Sequence, residues 1–178
     1  YIAENGMEQN VRDARISMIY EGTTGIQALD LIGRKVLLNG GVNLNLFLDE
    51  IDAFCANNTA HSEFTRPLAE CSKEWRSLTA DLAGKAVTNM DEAGAAAVDY
   101  LMYAGYITQA WLWARVLVLA SNKLSSTNSD TDGGFYQAKI HTARFYFQRI
   151  LPRTRAHLDS LRAGSTSLMA MPVEQFIF

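Results

Sequence analysis

Between residues 63 and 88 apolar side chains return every three or four positions, at Leu68, Cys71, Trp75, Leu78 and Leu82. On a strand these residues would point to both faces; on a helix they make one stripe. A long helix with one apolar stripe has to be covered by neighbours, so this segment commits the chain to helix-on-helix packing. The rest of the sequence supplies those neighbours. Leu44, Phe47, Leu48, Ile51 and Phe54 predict a helix near 43–57, closed by Asn57-Asn58-Thr59. A helix near 92–122 follows the turn Asn89-Met90-Asp91, with Asp91 in the N-cap position and Leu101, Leu112 and Leu119 as its stripe. Another starts at about Phe135 and turns Ile140, Ala143, Phe147 and Ile150 inward. Pro152 should kink or end it, with a helical continuation to about Arg162 and an irregular tail from Gly164. Between the last two, the polar run Ser125–Gly134 reads as the longest loop and the most mobile segment.

Upstream of this bundle the pattern predicts two further helices, near 7–19 and 24–38, stopped by Asn39-Gly40-Gly41. Gly22 breaks the first, and Thr24 with Gln27 reads as a capping box opening the second. Glu21 therefore stands on a short corner beside a helix N-terminus. A carboxylate there can take a proton from a bound substrate, or simply be solvated. No segment reads as a strand. With only three prolines in 178 residues and 48% hydrophobic content, the expected fold class is all-α: two N-terminal helices joined to an antiparallel helical bundle of about four.

Composition removes several classes of function. A net charge of -3 argues against a nucleic-acid partner, which needs a basic face. Cys55 and Cys71 fit no metal-ligand spacing and read as free thiols of a reducing compartment, hence a cytoplasmic location. Residues 100–120 are long enough to imitate a membrane span, but Arg115 inside them would cost about 2.5–3.5 kcal/mol on insertion scales. A buried bundle helix is expected instead, with Tyr100, Tyr103, Tyr106, Trp111 and Trp113 as core aromatics. His61, His141 and His157 share no ligand or triad spacing, so no metal site is expected. Arg12, Asp13 and Arg15, and the helical pair Asp30 and Arg34, read as structural charges. No phosphate loop or dinucleotide fingerprint is present, and Gly40-Gly41 and Gly133-Gly134 read as loop glycines.

The run Arg12-Asp13-Ala14-Arg15-Ile16, followed by Ile19-Tyr20-Glu21-Gly22-Thr23, resembles the C-terminal helical domain of flavin-dependent acyl-CoA dehydrogenases. Its continuation, Thr24-Gly25-Ile26-Gln27-Ala28-Leu29-Asp30-Leu31-Ile32-Gly33-Arg34-Lys35, resembles the branch with a C-terminal extension that includes 3-methylmercaptopropionyl-CoA dehydrogenases. The motif-level resemblance covers about residues 1–38, and beyond residue 45 it rests on helical pattern. It divides the chain into 1–41, the end of the catalytic helical domain, and 42–178, a helical extension.

By this resemblance Glu21 is the catalytic base, Gly22 lies against the substrate thioester, and Thr23 meets the FAD cofactor. The reaction implied is α,β-dehydrogenation of an acyl-CoA, with Glu21 removing the α-proton while the flavin accepts the β-hydride. The Glu21 backbone N–H and a flavin ribityl hydroxyl would stabilise the developing enolate. A free glutamate, with pKa about 4.3, needs burial by substrate to become an effective base. Gly25 stands where many relatives carry a cofactor-binding glutamine. Tyr20 is expected to pack behind the base. The resemblance also implies an electron-transfer flavoprotein as electron acceptor and a homo-dimer or tetramer. An opening Tyr1-Ile2-Ala3-Glu4 inside family-like sequence leads to the expectation of a fragment of a longer polypeptide, inactive by itself. Two alternatives stand beside this reading: the corresponding region of an acyl-CoA oxidase, and a non-catalytic helical oligomerisation or interaction module.

Overall fold

The computed structural model describes residues 3–20, 22–126 and 130–177, with residues 3 and 130–132 described by their backbone alone. It is all-α, with no strand among the described residues. Helix α1 is Glu8–Ile16, and α2 is Thr24–Leu29, which continues as a wider π-helical stretch over Asp30–Leu37. The bundle proper follows as α3 (Val42–Asn57), α4 (Ser62–Thr88), α5 (Asp91–Ser126), α6 (Asp130–Phe145) and α7 (Thr154–Ala163). A single helical turn, α8 (Thr166–Met169), lies in the tail.

The long α5 is the axle of the molecule, packing against α2, α4, α6 and α7, while α3 covers α4. The stripe on α4 is buried as its spacing dictates: Leu68, Trp75, Leu78 and Leu82 are inside, with Phe64 at its start and Cys71 half-buried. Leu44, Leu48 and Ile51 of α3 meet it, and Trp75 sits edge-on to Phe47, Tyr100 and Tyr103 with ring centroids 6.2 Å apart in each case. Such edge-to-face aromatic pairs add about 0.5–1.5 kcal/mol each beyond the area they bury. Tyr100 and Tyr103 are fully buried, as expected of core aromatics, whereas Tyr106, Trp111 and Trp113 are half-buried.

Several local expectations are corrected. The α5 stripe is not Leu101, Leu112 and Leu119: Leu112 and Leu119 are exposed and Leu101 is half-buried. The inward side is built from Ala96, Ala97, Tyr100, Tyr103, Ile107, Ala110, Ala114 and Leu117. Small residues let four other helices approach a central one closely. The polar run Ser125–Gly134 is not a loop through most of its length, since α5 reaches Ser126 and α6 already begins at Asp130; residues 127–129 lie outside the described residues. Leu124 and Tyr136 pack onto the core from either side of it, and apolar burial there outweighs weak helix propensity. Asp91 is the first residue of α5 rather than its cap; the Asn89 Oδ1 accepts its backbone N–H at 3.1 Å.

Pro152 acts as its chemistry requires. α6 first widens into a π-helical stretch, Tyr146–Ile150, then tightens into a 3-10 turn, Leu151–Arg153, before α7 restarts the helix. The restart is pinned to the bundle by Glu74 of α4, which accepts from the Tyr103 hydroxyl at 3.1 Å, from Arg155 at 3.3 Å and from Arg162 at 3.4 Å. Beyond α7, Gly164 adopts φ +72° and a Cβ there would stand 3.0 Å from Glu92 Oε2, so only glycine fits. That close approach lets Glu92 accept from both the backbone N–H and the hydroxyl of Ser165, fixing the tail to the start of α5.

Candidate functional site

The chain unwinds from α1 to α2 through a short corner. Ser17 donates its hydroxyl to Ala14 O at 2.7 Å, and the backbone N–H groups of Ile19 and Tyr20 both reach back to Ile16 O. Those bonds use up the carbonyls at the end of α1 and close it two turns of chain before α2 begins. Glu21, the candidate base, lies outside the described residues. The two residues after it are described. Gly22 has φ +73°, and an added Cβ would stand 3.3 Å from Ile26 Cγ2, so both backbone conformation and close contact select glycine at this corner.

Thr23 is the half-in residue at the start of α2, with φ -52° and ψ -122°, and its carbonyl accepts the Gln27 backbone N–H at 3.1 Å. The expected capping box between Thr24 and Gln27 does not form: Thr24 is already helical, and among the described residues no side chain caps this N-terminus. Among the described residues the first N–H groups of α2 and the half-buried Thr23 hydroxyl are consequently uncommitted, a cluster of donors suited to a polar or anionic group.

Around this corner the surface is apolar. Ile16, Met18, Ile19 and Ile26 are each more than half exposed, and Tyr20 and Leu29 lie open beside them. Contiguous apolar surface of this kind marks an interaction face. The inner side of the same element is different in character. Ala28, Ile32 and Val36 are buried in the core shared with α3, α4 and α5, so the corner is carried by a helix that is itself anchored to the bundle.

The charged groups near the corner behave as structural pairs. Gln9 Nε2 donates to Asp13 at 2.6 Å and Arg12 donates to Gln9 at 2.6 Å, all on the exposed side of α1. The Asp30 carboxyl is held below its ordinary range, chiefly by the hydrogen bond from Arg34. Of the histidines, His141 meets Gln137 on the same helix, while His157 Nδ1 lies 2.7 Å from Asp99 and its ring stacks on Tyr106. The last pairing joins α7 to α5 across 58 positions of sequence and carried no local signal. Among the described residues no group of three His, Cys, Asp or Glu side chains could hold a metal, and no helix is long and apolar enough to cross a membrane.

Comparison with known proteins adds a family. Residues 47–172 match the family described as acetyl-CoA dehydrogenase C-terminal like. The chain is 34% identical to a 3-methylmercaptopropionyl-CoA dehydrogenase of Ruegeria pomeroyi, over 95% of this chain and 29% of that protein. It is 29% identical to the broad-specificity linear acyl-CoA dehydrogenase FadE5 of Mycobacterium tuberculosis, over 99% of this chain and 30% of the relative. A butyryl-CoA dehydrogenase of Syntrophomonas wolfei is 28% identical, again over 99% of this chain and 30% of its own length. The chain therefore spans about three tenths of the length of these relatives, from 29% to 30%. The family match begins inside α3 and takes in the bundle, whereas the matches to the individual enzymes extend over the corner as well.

Proposed function

Because this chain belongs to the acetyl-CoA dehydrogenase C-terminal-like family, we propose that it is the C-terminal helical part of an FAD-dependent acyl-CoA dehydrogenase that desaturates an acyl-CoA thioester between Cα and Cβ, with Glu21 as general base. The observation that carries this reading is the corner itself. A carboxylate follows Tyr20 directly and precedes a glycine in left-handed conformation, at the uncapped start of a helix buried on its other side. A base needs a fixed position more than it needs reach, and the helix that follows Glu21 in sequence is anchored through Ala28, Ile32 and Val36.

In this proposal Glu21 takes the α-proton of the thioester. Gly22, lacking a side chain, leaves room for the thioester to lie against the backbone. The apolar rim of Ile19, Tyr20 and Ile26 excludes water when covered, which raises the basicity of the carboxylate towards working pH. The uncommitted Thr23 hydroxyl and the adjacent N–H groups fit a polar edge of a flavin, and Thr23 would be the residue of this chain that holds it. When bound, FAD supplies the hydride acceptor. An electron-transfer flavoprotein as onward acceptor, a homo-dimer or tetramer, and a cytoplasmic location complete the proposal; the free thiols Cys55 and Cys71 suit a reducing compartment. By itself the 178-residue chain is proposed to lack dehydrogenase activity.

The test is anaerobic mixing of the full-length flavoprotein with acyl-CoA substrates, followed by re-oxidation with either an electron-transfer flavoprotein or oxygen. Bleaching of flavin absorbance and preference for the protein acceptor support a dehydrogenase. Rapid re-oxidation by oxygen with peroxide formation would identify an oxidase, and no bleaching with any acyl-CoA would favour a non-catalytic helical module.

A further inference from the structure

The π-helical stretch Asp30–Leu37, α3 and α5 enclose a groove of about 560 Å³. None of the described corner residues lines it. Its walls are Leu31, Leu44, Phe47, Trp75 and Leu101, and its α5 side is floored by Ala104 and Gly105. The volume lies in the range of small-molecule sites, which are mostly apolar with a few polar groups at defined points. Here those groups are Lys35, Asn43, Thr108 and Gln109, and among the described residues the last three have no hydrogen-bond partner for their side chains. The Trp75 indole N–H is buried without a hydrogen-bond partner among the described residues.

Two features select the occupant. The first is charge. Lys35 is the charged residue of the lining, and it shares the single carboxylate of Asp30 with Arg34, at 3.4 Å and 2.5 Å respectively. One carboxylate between two cations leaves a net positive charge at the rim. The second feature is the floor. Gly105 lies inside a long helix, where glycine is a poor helix former, and a Cβ there would meet nothing within 4 Å. No packing partner requires the glycine, and it leaves this part of the groove wall without a side chain.

We propose that this groove binds a medium-chain fatty carboxylate, its alkyl chain laid over Gly105 against Phe47 and Trp75 and its carboxylate at Lys35, with the amides of Asn43 and Gln109 in reach. The assignment does not rest on the proposed catalytic role of Glu21. A long lysine stem can lie along the apolar wall while its ammonium meets an anion at the mouth.

The experiment is titration of the full-length protein with hexanoate, octanoate and decanoate by calorimetry, alongside decanol and decyltrimethylammonium. Saturable binding should tighten about fourfold per methylene until the groove is full. Decanoate should outcompete the alcohol and the cation of equal chain length. Gly105→Leu, which adds a better helix former into open space, should weaken decanoate about tenfold or more while leaving the melting temperature equal or higher, since it removes room for about two methylenes. Lys35→Gln should weaken decanoate by up to about fivefold and leave decanol unchanged. Absence of saturable decanoate binding, or affinity unchanged in Gly105→Leu, overturns the assignment. Equal affinity for the anion, the alcohol and the cation does so as well.

Discussion

Replacing Ile32 by alanine tests how the corner is held. Ile32 is 1% exposed and sits in the π-helical stretch, one turn from buried Ala28 and one from buried Val36. The substitution removes three carbons, worth about 2.4 kcal/mol at 0.8 per methylene. The void is flanked by α3 and α5, which are fixed by the rest of the core and cannot collapse into it freely, so a cavity term brings the expected loss to about 3–4 kcal/mol. Ile26→Ala is the matched control on the outer face: at 60% exposure it should change stability by less than about 0.5 kcal/mol. Denaturant unfolding followed by far-UV circular dichroism gives both values, the midpoint falling in Ile32→Ala with the slope unchanged. If Ile32→Ala costs no more than Ile26→Ala, the second helix is not part of the bundle core and the reasoning fails. The same measurement bears on the division of the chain at residue 41. A chain beginning at Val42 loses Ala28, Ile32 and Val36 from the core, and we expect it to unfold at lower denaturant and less cooperatively. Unchanged cooperativity would establish 42–178 as a unit with its own core.

Two further outcomes follow from the titrating groups. The Glu92 carboxyl is held below its ordinary range by the Ser165 hydroxyl first and the Ser165 backbone N–H second. A depressed folded pKa contributes stability that is fully present above the ordinary carboxylate range and is lost as pH falls through the depressed value. Ser165→Ala should accordingly flatten the acid side of the melting-temperature profile, and an identical profile would refute the linkage. Burial pushes the thiols of Cys55 and Cys71 up to about 11, so both should react slowly with a disulfide reagent at neutral pH and quickly once the protein is unfolded. Fast reaction of either in the folded protein would contradict that burial.

What was legible in the sequence follows from where the apolar residues lie. α3 and α4 each bury one side, so a spacing of three and four named most of their core residues, with Phe47, Phe54 and Cys71 only half-buried at its edge. α5 is packed by helices on several sides and carries apolar residues all round, so its leucines did not mark its inner face; the alanines did, and alanine is a weak signal. The polar run around Ser125–Gly134 misled for the opposite reason. Its composition favours turns, yet Leu124 and Tyr136 gain more by packing than the polar ends of α5 and α6 beside them lose as helix. The Thr24–Gln27 capping box failed because the chain enters α2 one residue earlier, leaving Thr23 at the cap position with no side-chain cap bond among the described residues. Gly22 was legible, since its φ of +73° is what the motif requires. The Glu74 hub, the tie of Glu92 to Ser165 and the His157–Asp99 pair were not, because each joins residues more than 25 positions apart with no periodic signal between them.

The central claim is that a carboxylate at position 21 abstracts a proton from an acyl-CoA. In the full-length flavoprotein, Glu21→Gln keeps the size and polarity of the side chain and removes only its basicity. Anaerobic stopped-flow mixing with acyl-CoA should then show flavin bound as in the wild type, and flavin reduction slowed on the order of a hundred- to ten-thousand-fold, the range expected for loss of a general base. Reduction at the wild-type rate would contradict the assignment of Glu21.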